Sequence, residues 1–158
     1  GVVTTLAGST NGYVDGTGST AQISYPPTVA VDESGNVYTA DRGNHIRKIT
    51  PAGVVTTLAG STLGFADGTG NTAQFSSPAG MAVDGSGNVY VADRNNNRIR
   101  KITPTGTVTT IAGSTRGSED GNSTIAKFNA PSGVVIDGSG IIYVSDERNG
   151  SIRKITIN

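Results

Sequence analysis

The ten residues GVVTTLAGST stand at 1–10, recur unchanged at 53–62 and return as GTVTTIAGST at 106–115. A unit repeated about every 50 residues cannot bury its apolar face alone; stacking the copies builds one continuous core, so the repeat decides the architecture before any local motif is weighed. Aligned copies span 1–52, 53–105 and 106–158, the first being one residue shorter where His45-Ile46 stands against Asn97-Arg98-Ile99. The whole chain, 1–158, is therefore read as a single repeat domain.

Within the second copy, GVVTTLAG (53–60), GMAVD (80–84), NVYVAD (88–93) and RIRKIT (98–103) are short runs rich in β-branched residues. Each predicts a strand. Asp84-Gly85-Ser86-Gly87-Asn88 and its counterparts at 32–36 and 137–141 are connections of hairpin length, and Pro51-Ala52-Gly53 and Pro104-Thr105-Gly106 form a second turn. Met81 and Val83 share a parity that Ala82 opposes, and Ile99 opposes Ile102, so both faces of each sheet carry apolar groups. A sheet wet on one face would alternate cleanly, whereas one packed between neighbours does not. The fold class is all-β, with four-stranded antiparallel blades stacked as in a propeller. The threonine-rich VTT run suits an outer, partly solvated strand.

Hydrophobic residues make up 34% and there are 23 glycines, the balance of a folded domain rather than a disordered one. Twelve basic and twelve acidic residues cancel without a run of either sign. That removes the electrostatic footprint of a nucleic-acid or anionic-membrane binder. With no cysteine there is no disulfide framework and no thiol chemistry, and no apolar stretch reaches the roughly 18 residues of a membrane span. No compartment is fixed; a secreted or extracellular parent would carry its signal outside these residues.

VYTADRGNHIRKITPAG (37–53), VYVADRNNNRIRKITPTG (89–106) and IYVSDERNGSIRKITIN (142–158) each follow a P-x-G/T-V/M-A/V-V/I-D segment. Together they resemble NHL repeats, with Asn44-His45 keeping the middle of the namesake triplet. Kelch units would bring a Gly-Gly pair and a tryptophan, and WD40 units a Trp-Asp pair; the chain has no tryptophan. The resemblance implies a β-propeller, most often of six blades.

The third copy stops at Thr156-Ile157-Asn158, where the others continue through a Pro-x-Gly turn into another VTT strand, and residue 1 is the glycine of such a turn. The expectation is a division inside a blade, which leaves unpaired N–H and C=O groups along a sheet edge. Three blades would each have to turn through about 120°, against roughly four to eight blades in known propellers. Closure is therefore expected from a strand-swapped C₂ homodimer, three blades per chain and six in the ring, in which Gly1–Gly8 of one chain completes the blade begun by residues 133–156 of the other. The closure residues are Val2, Val3, Thr4, Thr5 and Leu6 on one side and Ile152, Arg153, Lys154 and Ile155 on the other. Blades supplied in cis by a longer chain are the alternative.

The remaining motifs read as structure. Asp32/Ser34/Asn36 and Asp84/Ser86/Asn88 alternate oxygens like a calcium loop, yet five residues without a distal glutamate make a hairpin turn. Asp41, Asp93 and Asp146 are expected to accept backbone N–H groups of the following loop. Asp15-Gly16-Thr17-Gly18 and Asp67-Gly68-Thr69-Gly70 do not lead a strand into a helix with a lysine, so they are packed connections anchored by Tyr13, Phe65, Phe75 and Phe128 rather than phosphate cradles. Arg47-Lys48, Arg100-Lys101 and Arg153-Lys154 are expected to pair with nearby aspartates and solvate their strand.

The function expected is a non-enzymatic scaffold or interaction module, without catalytic residues, metal or cofactor. It would offer the loops at Arg42, Asn44, His45, Arg94, Asn96, Asn97, Glu147 and Asn149 to a protein or a glycan. The rival is a fragment of a lyase or lactonase, since some propellers similar to NHL domains are enzymes built around metal-bound histidine. His45 is the single histidine, which rules out a multi-histidine site within one chain.

Overall fold

A computed structural model describes residues 1–157. The first sheet contains β1 (Gly16–Thr17), β2 (Val29–Val31), β3 (Val37–Ala40), β4 (Ile46–Ile49) and β5 (Val54–Ala59), in the spatial order β1-β5-β4-β3-β2. The second repeats it with β6 (Gly68–Thr69), β7 (Pro78–Val83), β8 (Val89–Asp93), β9 (Arg98–Ile102) and β10 (Thr107–Ala112), in the order β6-β10-β9-β8-β7. The third has β11 (Pro131–Ile136), β12 (Ile142–Asp146) and β13 (Ser151–Ile155). All pairings between these strands are antiparallel.

In copies two and three all four expected runs are strands, whereas the opening run of copy one is not; the first two sheets also hold a fifth strand outside these runs. Gly16-Thr17 pairs with Val55-Val54, and Gly68-Thr69 with Val108-Thr107, so the connection doubles back along the outer strand. A 3-10 turn at Gly18–Thr20 or Gly70–Thr72 follows, closed by the threonine hydroxyl on the Thr17 or Thr69 carbonyl. The innermost strand of the first sheet is three residues long against six in the others, because Pro27 has no N–H to give to the ladder.

The sheets stack face to face. Tyr38, Ala40 and Ile46 of the first meet Met81, Val89, Val91 and Ile102 of the second. The other face of the second, with Ala82, Tyr90, Ala92 and Ile99, meets Val134, Ile142 and Val144 of the third. The anchors split by depth: Phe75 and Phe128 are buried, while Tyr13 and Phe65 are about half exposed.

Two sheet faces have no neighbour among the described residues. On the first sheet Val29 and Val31 are 68% and 64% exposed, where Met81 of the second sheet is buried. On the third, Val135 and Ile152 are 61% and 73% exposed, where their counterparts Ala82 and Ile99 are buried. Residues 1–6 join no sheet, and Val2 and Val3 are almost fully exposed. The chain just after them is nonetheless seated as in the later copies. Gly8 N–H donates to the Gly18 carbonyl as Gly60 does to Gly70, both at 3.0 Å. A β-carbon on Gly53 would fall 2.7 Å from the Leu6 carbonyl oxygen, as one on Gly106 would fall 2.6 Å from that of Leu58. The opening segment thus departs along the path of an outer blade strand.

Candidate functional site

In each sheet an arginine is held between two aspartates, at the heart of the first two and on the edge strand of the third. Arg100 Nη1 donates to Asp93 Oδ2 and Nη2 to Asp67 Oδ1, each at 2.7 Å, with the Arg100 and Asp93 side chains out of contact with solvent. Arg47 repeats this with Asp41 and Asp15. The arginines do pair with aspartates, but they do not solvate their strand: Arg47 and Arg100 are fully buried, contrary to the expectation. Carbonyls at Ala66 and Gln74 take the remaining Nη bonds of Arg100, Nε is left without a partner among the described residues, and Phe65 and Phe75 lie 5.0 Å from the guanidinium carbon, which helps enclose the charge. The lysines beside them remain partly exposed, Lys48 and Lys101 lying over the rings of Tyr38 and Tyr90.

Asp41 accepts the N–H groups of Gly43 and His45, as expected of its loop. Asp93 and Asp146 instead take backbone N–H groups from the incoming connection, at Ser76 and Asn129. The extra residue in copies two and three winds their loop into a 3-10 turn, and the Asn96 and Asn149 side chains fill the place of its amides. Burial pushes the Asp93 carboxyl above its usual range, against the pull of Asn96, the Ser76 N–H and Arg100.

The hairpin turns are closed by their own donors. Asp84 accepts from Ser86 N–H, Asn88 N–H, Asn88 Nδ2 and the Tyr90 hydroxyl, and Asp32 does the same in copy one. Burial works against the Asp84 charge, but these bonds outweigh it and hold the carboxyl below its usual range. Burial, then the bond to Asp84 and its charge, pushes the Tyr90 phenol up to about 12.

Most of the loop residues offered to a ligand are spent on the chain itself. Asn44 Oδ1 accepts from Ser77 N–H of the next sheet, and Asn97 Oδ1 from Ala130 N–H of the one after. Both asparagines are left-handed, a conformation this side chain tolerates, and each clamps two sheets together. Asn96 and Asn149 tie the carbonyls of Gly64 and Gly117. His45 Nδ1 lies 3.0 Å from Asp41 Oδ1, and Arg94 pairs with Glu147 across two sheets. Arg42 is exposed above the Tyr25 ring. Sequence reasoning missed Asp15, Asp67 and the two clamps; the recurrence of an aspartate 32 or 33 residues before each of these arginines was the available signal. Residues 2–6 and 152–155, the expected closure set, are not paired with each other within the chain. Among the described residues no group of three or more His, Cys, Asp or Glu could hold a metal ion.

Three antiparallel sheets stacked face on face, the first two each closed outside by the strand that leads to the next, match propeller blades. The NHL repeat model matches residues 75–102 and 128–155. These two segments are NHL repeats, and the chain is similar to NHL-containing proteins. It is 39% identical over 82 residues to NHL repeat-containing protein 2 of Gallus gallus, an alignment covering 51% of this chain and 11% of that protein. The chain spans about a tenth of the length of the first curated relatives it matches. An auxiliary nutrient binding protein of Bacteroides ovatus superposes with a TM-score of 0.75 at 25% identity, over 89% of this chain and 39% of the other. Virginiamycin B lyase of Staphylococcus aureus superposes at 0.57 with 16% identity, over 87% of this chain and 43% of the lyase, a likeness of fold alone.

Proposed function

We propose that this chain is a self-assembling half propeller: two copies close a six-bladed ring that serves as a non-enzymatic binding module for a protein or glycan. One observation carries the assembly. The two unpartnered faces present residues at positions that elsewhere fill the blade interfaces: Val29 and Val31 match Met81 and Val83, while Val135, Tyr143 and Ile152 match Ala82, Tyr90 and Ile99. Blade three of one copy therefore meets blade one of the other as consecutive blades meet within the chain, and C₂ symmetry forms the contact twice. At about 25 cal/mol per Å² of apolar surface, even a few hundred Å² per seam is worth several kcal/mol.

A binding role is supported by the likeness to a nutrient binding protein, with Arg42 an exposed rim side chain a ligand could reach. Balanced charge favours neither nucleic acid nor an anionic membrane as partner. Glutamate in place of either exposed valine or isoleucine tests the assembly: Val31→Glu and Ile152→Glu would each bury a charge in the seam and leave a folded 16.0 kDa monomer in sedimentation. Dimers that survive both changes would refute it.

A further inference from the structure

We infer that Asp120, held by Arg153, is the acceptor for Thr5 of a second copy and thereby sets the register of the crossing strand; this rests on the half-propeller reading above. In the two complete blades the equivalent aspartate does three jobs at once. Asp15 Oδ1 accepts from Arg47 Nη2 and Thr57 Oγ1, and its Oδ2 accepts from Thr57 N–H. Asp67 makes the same three bonds with Arg100 and Thr110. In blade three Asp120 Oδ1 accepts from Arg153 Nη2 at 2.7 Å, and Oδ2 has no partner among the described residues. Its side chain is 95% exposed, against 50% and 47% for Asp15 and Asp67. In the other two blades that oxygen is taken by a threonine of the outer strand.

The slot for that strand is present. Beside the free edge of β13 lies a groove of about 1060 Å³, lined by Asp120, Gly121, Phe128, Arg153 and Ile155. Its occupant can be read from the chain's own repeats. Residues 1–7 align with 53–59, which places Thr5 at the position of Thr57, Val3 at that of Val55 and Ala7 at that of Ala59. Val55 and Ala59 are buried in their blade, while Val3 is 97% exposed. Transferring the pairing of Arg47 with Thr57 and of Ile49 with Val55 sets Thr5 of the second copy opposite Arg153 and its Val3 opposite Ile155. A slip by one residue would turn Val3 to solvent and carry Thr5 away from the carboxylate. Asp120 thus acts as a positioning residue for the strand that closes the seam.

The seam lacks one device that the internal junctions have. Asn44 and Asn97 clamp the following blade, but the equivalent left-handed position in blade three is Gly150, with no side chain to reach the Tyr25 N–H of the second copy. The strand latch and the backbone ladder of the crossing strand supply the polar fixation in its place.

The test compares dimer dissociation constants by sedimentation for the wild-type chain, Asp120→Ala, Thr5→Val and the double variant. Each latch is worth about tenfold in affinity, and the two in the ring multiply to about a hundredfold weakening in Asp120→Ala. The double variant should weaken the dimer little more than Asp120→Ala alone. Asp120 is exposed in the single chain, so circular dichroism of the variant should match the wild type. An Asp120→Ala dimer of wild-type affinity, or strictly additive effects, overturns the latch and leaves the half-propeller standing. A wild-type chain that remains monomeric overturns both.

Discussion

Asp93→Ala removes one half of a buried ion pair and leaves the other in place. The Arg100 guanidinium, with no exposure, would keep Asp67 at the rim and two carbonyls but lose its enclosed counter-charge, and the Ser76 N–H and Asn96 amide would lose their acceptor. Breaking a buried pair from one side costs about 3–5 kcal/mol, a large share of the roughly 5–15 kcal/mol that holds a domain folded. With a urea slope of about 2 kcal/mol per M, the midpoint should fall by about 2 M. Urea unfolding followed by circular dichroism reads the shift, at matched protein concentrations because assembly would add to stability. Arg94→Ala is the control. It breaks only the exposed pair with Glu147 and should cost under about 1 kcal/mol. If Asp93→Ala also cost less than about 1 kcal/mol, Arg100 would have to be solvated, and the account of the blade core would be wrong.

Three further outcomes follow from the same contacts. Asn97→Gly keeps the left-handed backbone but loses the clamp on Ala130 and should cost about 1 kcal/mol, while Asn97→Ala adds strain of about another 1 kcal/mol; the reverse order by thermal melting would contradict the clamp. Tyr38 and Tyr90 are pushed up to about 12 in the fold against 10.0 unfolded, so the unfolded chain releases these protons first and stability should decline as pH rises from 10 to 12. Two phenols ionising near 10 in the folded protein, seen by ultraviolet titration, would refute this. Because Asp32 and Asp84 already accept four donors each, EDTA should leave the melting temperature unchanged; a clear drop would place a cation in the hairpin turns.

The strands were legible because β-branched runs such as VYVAD and RIRKI alternate with turns whose chemistry is local, and an Asp-x-Ser-Gly-Asn loop closes on its own side chain wherever it stands. The two-residue strand at Gly68-Thr69 was not legible, since its pairing depends on the outer strand of the same blade 38 residues away rather than on its own propensity. Charge was the other blind spot. Arg100 reads as a surface residue in any single copy, and only the partners brought in by the fold, Asp93 seven residues before it and Asp67 thirty-three before, make its burial tolerable. The rim asparagines stand out in the sequence as polar loop residues, but their work of clamping neighbouring blades depends on backbone amides such as Ala130 N–H, which no residue type announces.

Sedimentation equilibrium of the purified 158-residue chain decides the assembly. A self-completing half propeller gives one species of twice 16.0 kDa, about 32 kDa, that dissociates only on dilution or with loss of structure. A folded species at 16.0 kDa across the accessible concentration range would mean that the apolar faces around Val31 and Ile152 are stable against water, and the ring of two copies would have to be abandoned.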